Sequence, residues 1–131
     1  LAINILILAV GGAIGTILRY IISGLADKQF EAFHEFYPWG TLAVNLIGCF
    51  FIGLLWGSLQ GKEINLNTRL FLFTGVFGGF TTFSSFALEN ISLFKEGHTL
   101  LASFNIIATN VLGLALVLFG FYLANIIGGT K

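Results

Sequence analysis

Thr74-Gly-Val-Phe-Gly-Gly-Phe-Thr-Thr-Phe-Ser-Ser-Phe-Ala-Leu-Glu89 places a glycine pair, followed by four hydroxyls, inside an apolar segment. A membrane helix would ordinarily carry Leu or Ile at such positions. Glycine costs about 1 kcal/mol relative to Ala in a helix interior, so Gly78-Gly79 predicts a break. In hydrocarbon, non-helical backbone survives only where protein buries it or where it lines a wet cavity. Thr81, Thr82, Ser84 and Ser85 supply hydroxyls that can donate to an anion or accept near a cation. Phe77, Phe80, Phe83 and Phe86 recur at every third position, a slowly drifting helical stripe. The stretch reads as a functional interruption in a membrane helix.

The rest of the chain supports a lipid setting. Of 131 residues, 56% are hydrophobic and only 9% charged, whereas soluble domains carry nearer a quarter charged residues. The net charge of zero argues against nucleic acid or an acidic partner held by bulk charge. A single cysteine, Cys49, excludes an internal disulfide, and His34 and His98 lack metal-ligand spacing. Without a basic leader, the first apolar run is expected to act as the targeting signal itself.

Four spans are predicted, at about 2–25, 39–59, 69–94 and 100–127, forming a single all-α transmembrane domain. Gly11 and Gly15 in the first span are four apart, as are Gly53 and Gly57 in the second, which lets neighbouring helices approach closely. Arg19 is either a snorkelling cation or the charge at an aqueous vestibule. Residues 27–37 form a polar connection with room for a short interfacial helix, and Trp39 suits the headgroup region. Asn45 is either an interhelical hydrogen bond or an ion contact, with Thr41 one turn earlier on the same face. Glu89 is an interfacial or pore-mouth acid. Asn105, Thr109 and Gly113 share a face of the fourth span, as helix glue or as a polar path, while Asn110 points elsewhere, toward a neighbouring subunit.

Charge gives the topology. Four spans place Lys62, Arg69 and Lys131 on one side and Arg19, Lys28 and Lys95 on the other, so the usual cytoplasmic excess of Lys and Arg is missing. Such a chain is expected to insert both ways and to work as an antiparallel homodimer, although one orientation set by weaker signals stays open. Pairing would create by assembly the inverted repeat that larger transporters carry within one chain. No phosphate-cradling glycine loop, activated nucleophile or paired carboxylate supports an enzyme. Asn45, Thr82, Ser84, Asn105 and Thr109, with Arg19 near one end, are instead hydrogen-bond donors in apolar surroundings. They can replace the waters of a small anion, as can the positive edges of aromatic rings. Taken alone, the Phe stripe also fits a lipid-facing or core surface.

Three segments, Gly-Gly-Ala-Ile-Gly-Thr-Ile-Leu-Arg-Tyr (11–20), Gly-Thr-Leu-Ala-Val-Asn-Leu-Ile-Gly (40–48) and Gly-Gly-Phe-Thr-Thr-Phe-Ser-Ser-Phe (78–86), resemble signature segments of the Fluc, or CrcB, fluoride channels. The third is the most specific. The resemblance implies a dual-topology antiparallel dimer in the inner membrane, with two pores and a structural sodium ion at its interface. It implies passive export of fluoride. Phe83 and Phe86 resemble the pore phenylalanines, Asn45 the pore asparagine and Arg19 the vestibule arginine. Gly78 and Thr81 resemble the positions whose carbonyls hold sodium. Glu89 and Thr41 resemble an acid and a hydroxyl beside the ion path, and Asn105 and Thr109 the polar track of the fourth helix. Ser85 stands where threonine is common, and the track has Asn and Thr where relatives have Tyr and Ser. The rival reading is a proton-coupled exporter of the small multidrug resistance type, which needs a deep carboxylate. The first span has none, so Glu89 would have to serve.

Overall fold

The computed structural model describes residues 1–128, which leaves Lys131 outside. The described residues are all-helical, with four apolar spans long enough to cross a membrane. Helix α1 is Ala2–Phe30 and α2 is Trp39–Leu59. The third span is divided. Its first part, α3 (66–80), joins an α-turn at Leu66–Arg69, a π-helical stretch at Leu70–Phe77 and a last turn at Gly78–Phe80. Its second part, α4, is Phe83–Lys95. The fourth span, α5, is Thr99–Ile127.

Helix α1 continues five residues beyond the expected end at Leu25. Asp27 makes this possible, because its carboxylate accepts from the Gly40 N–H at 2.6 Å and so caps the start of α2. A charge used this way stabilises a helix N-terminus, which carries positive dipole character. Residues 31–38 then form turns rather than an interfacial helix. The Trp39 indole fixes this corner by donating to the His34 carbonyl at 3.1 Å.

Two contacts hold the bundle. Helix α1 lies against α3, where a Cβ on Gly11 would stand 2.7 Å from the Phe71 carbonyl oxygen, and one on Gly15 would collide with that of Val76. Helix α2 packs along α5, the most extensive pairing in the chain, and a Cβ on Gly53 would strike the Val117 carbonyl. Small residues drive such approaches in membranes because lipid gives no hydrophobic reward for helix association. Both glycine pairs singled out in the sequence are therefore seams. Gly97, at φ 86°, ends α4. There His98 N donates to Leu93 O at 2.8 Å and Gly97 N to Phe94 O at 3.2 Å, the pairing of a Schellman turn.

The helix break differs in position from the glycine pair. Gly78 and Gly79 remain helical, and the extended residues are Thr81 (φ −86°, ψ 157°) and Thr82 (φ −148°, ψ 115°). Gly79 is a contact residue, since a Cβ there would lie 2.7 Å from the Gly12 carbonyl. The break also divides the phenylalanine stripe. Phe80 and Phe86 are buried while Phe83 is 78% exposed, because two extended residues reset the helical register between them.

Candidate functional site

The interruption is stabilised by a side chain from another helix. Asn45 of α2 faces Thr82, accepting from its N–H at 2.8 Å and donating to its carbonyl at 3.1 Å. An asparagine amide has the donor and acceptor of a peptide group, so Asn45 acts as a surrogate strand partner for one extended residue. Both polar groups of Thr82 are satisfied although the residue is buried, which hydrocarbon otherwise penalises heavily.

A continuous helix would send the Thr82 N–H back to the Gly78 carbonyl, four residues earlier. Asn45 has taken that donor, so the Gly78 carbonyl has lost its helical partner. Thr81 is held by Phe77, whose carbonyl accepts both its N–H at 3.0 Å and its hydroxyl at 2.9 Å. Gly78 and Thr81 both line an open cleft of about 430 Å³.

That cleft gathers much of the sequence-predicted site. Asn45, Thr82, Phe83, Phe86 and Thr109 line it, together with Cys49, Gly113 and Asn110. The Phe83 and Phe86 rings lie 5.6 Å apart at a 43° tilt. Thr82 starts α4 as its cap, accepting from the Ser85 N–H at 3.2 Å. Its hydroxyl donates to Ser85 Oγ at 3.1 Å and lies 3.4 Å from Ser84 Oγ. Three hydroxyls therefore cluster at the positive end of a helix, where anions are favoured. Asn110, expected to point elsewhere, shares this cleft and donates to the Ile106 carbonyl at 2.7 Å.

A second group lies further along α4. The Thr41 hydroxyl donates to Glu89 Oε1 at 2.5 Å, while Glu89 Oε2 is buried without a hydrogen-bond partner. Asn105 is buried, does not line the cleft, and takes part in a side-chain network. It accepts from the Tyr37 phenol at 3.1 Å and from Thr109 Oγ1 at 3.3 Å, and donates to Asn90 Oδ1 at 3.1 Å. Asn90 in turn donates to the Phe86 carbonyl at 2.7 Å. Tyr37 and Asn90 were not predicted from sequence. Their signal, a Tyr just before the second span and an Asn late in the third, carries no meaning until the corner folds onto α5. Burial pushes the Tyr37 phenol above its ordinary value, so it acts as a neutral donor. Arg19 is half-buried on α1, does not line the cleft, and has no side-chain partner among the described residues.

The geometry can be set beside known proteins. The family model described as "CrcB-like protein, Camphor Resistance (CrcB)" matches residues 6–121. The chain is 44% identical over 121 residues to a protein of Parabacteroides distasonis named "Fluoride-specific ion channel FluC", with 92% of each covered. A protein of the same name from Agrobacterium fabrum is 48% identical over 120 residues, covering 90% of this chain and 93% of that protein. One from Helicobacter pylori strain J99 is 44% identical over 122 residues, with 92% of each covered. With four membrane-length helices and a match across nearly its whole length, this multi-pass membrane protein belongs to the CrcB family.

Proposed function

We propose that two antiparallel copies of this chain form a passive, fluoride-selective channel that exports the ion from the cytoplasm across the inner membrane. The observation that carries this reading is the cleft at the helix break, lined by the paired rings of Phe83 and Phe86 and by Thr82, whose hydroxyl starts a helix and meets those of Ser84 and Ser85. Fluoride is small and strongly hydrated, so a pore must replace its waters with compact donors. Ser84 and the Thr82–Ser85 pair offer hydroxyls, and Asn45 has a second amide hydrogen beyond the one given to Thr82. Aromatic ring edges carry partial positive charge and can complete an anion's shell without holding it as a full cation would. A site too strong would trap the ion, since conduction requires exit as well as entry.

An antiparallel partner suits two features. It would cover Phe83, which a lone chain leaves largely exposed, and its own break would face the first. Sodium fits between the breaks by the chemistry of the donors. The Gly78 carbonyl has lost its helical N–H, and Thr81 beside it is extended. Carbonyl oxygens suit a hard cation, whereas the described residues contain no group of three or more His, Cys, Asp or Glu side chains for a metal. Sodium bound there would neutralise carbonyl ends and join the two breaks. The half-buried Arg19 cation would draw anions toward the pathway, and the Thr41–Glu89 pair would lie beside its far end.

The test is efflux from liposomes loaded with fluoride or chloride, with valinomycin to carry balancing potassium. Rapid fluoride efflux without chloride efflux, and without a proton gradient, is the expected result. No fluoride efflux from an assembled protein overturns the proposal.

A further inference from the structure

A second cavity, of about 500 Å³, lies at the membrane end where α2 passes into α3, and its walls are Trp56, Lys62, Ile64, Arg69, Phe73 and Thr74. Two of the six are cations, and no carboxylate among the described residues lines the space. Neither cation has an ion-pair or hydrogen-bond partner among the described residues. The Trp56 ring is held against Phe121, at 5.1 Å between centroids, and its indole N–H likewise has no partner among the described residues.

The geometry points to a binding site for the phosphate of an anionic phospholipid. Arg69 offers a planar fork of donors and Lys62 a point charge, the two side chains best suited to phosphate. Thr74 and the Trp56 indole add neutral donors. Ile64, Phe73 and the Trp56 ring line the same space with apolar surface, as a glycerol backbone and the start of an acyl chain require. A free halide would leave most of a 500 Å³ cavity unfilled. Position agrees with chemistry, because Lys62 lies between two spans and Arg69 in the opening turn of the third. Trp is a headgroup-level residue, and basic pockets between spans take up anionic headgroups. This inference does not depend on which ion the protein conducts.

Trp56 is its own reporter. In Trp39→Phe protein it is the single tryptophan, and bromine on a lipid tail quenches its emission only when that lipid is adjacent. Full-length Trp39→Phe protein is reconstituted in phosphatidylcholine containing a fixed fraction of brominated phosphatidylglycerol or of brominated phosphatidylcholine. Two nearby cations should enrich the anionic lipid at Trp56 roughly thirtyfold over the neutral one. Lys62→Gln with Arg69→Gln should abolish the difference, whereas Lys62→Arg with Arg69→Lys should retain it. Equal quenching by the two lipids overturns the inference, as does a preference that survives loss of both cations. Inorganic phosphate is added in a parallel series. Displacement of the brominated lipid by phosphate would identify a site for free anions and overturn the lipid assignment.

Discussion

Replacing Asn45 by Leu tests the physical basis of the helix break. The substitution removes two hydrogen bonds, from the Thr82 N–H at 2.8 Å and to its carbonyl at 3.1 Å. Each buried backbone group left unpaired costs about 1–3 kcal/mol, so the broken form loses about 2–6 kcal/mol. The chain has one route to recover part of this. If Thr82 returns to helical backbone, its N–H can bond the Gly78 carbonyl, and the third span becomes one continuous rod. Either outcome disrupts the cleft, so Asn45→Leu should abolish fluoride efflux and weaken the assembled protein in detergent. Asn45→Asp separates the cap from the path. An Asp oxygen can still accept from the Thr82 N–H, but the donor to the Thr82 carbonyl is gone and a negative charge faces the cleft. It should therefore keep more of the stability than Leu while passing little fluoride. Efflux and detergent melting curves measured on both variants decide the matter. Wild-type melting of Asn45→Leu would refute the capping role, and undiminished flux through Asn45→Asp would remove the residue from the anion path.

Other perturbations follow from the same geometry. Phe83→Ile and Phe86→Ile should both suppress fluoride efflux while leaving the protein assembled; preserved flux in both would refute the ring-edge argument. Phe86→Ile should also lower the stability of the chain's own fold, by about 1 kcal/mol, because Phe86 is buried within the chain; an unchanged melting curve would contradict that. Gly15→Val should force α1 from α3 and abolish assembly, whereas Gly24→Val, where an added Cβ meets nothing within 4 Å, should be tolerated in a size-exclusion comparison. Tyr37→Phe should cost about 1 kcal/mol near neutral pH. Its pH effect has a definite sign. Burial raises the folded phenol's pKa, so the unfolded chain loses that proton first and stability falls as pH climbs beyond about 10. The alkaline melting curve of Tyr37→Phe should lack this component, and identical wild-type and variant slopes would refute it.

The spans were legible because long apolar runs leave backbone groups only one way to satisfy themselves in lipid. The Gly11–Gly15 and Gly53–Gly57 pairs were legible as seams for the related reason that close helix contact needs missing side chains. Gly78-Gly79 was harder, since glycine signals both weak helix and close approach, and here the second meaning applies to Gly79. The true interruption depends on Asn45 and Thr82, thirty-seven positions apart, and no local pattern links them. The end of α1 was misjudged because Asp27 looked like the start of a polar loop, when its charge is used on α2. Asn105 showed its polarity from sequence, but its burial against Tyr37 and Asn90 depends on how the 31–38 corner folds back.

Helix α2 also acts as a ruler. Its 21 residues span about 31 Å, close to the roughly 30 Å of a bilayer's hydrocarbon core. Helices α1 and α5, at 29 residues each, reach about 43 Å and must tilt or protrude. Because α2 is fastened to α5 along its glycine seam and to the break through Asn45, it has little freedom to tilt on its own. A membrane much thinner or thicker than α2 would act on the one helix that carries the cap of the break. Bilayer thickness thereby becomes a mechanical variable of the cleft itself.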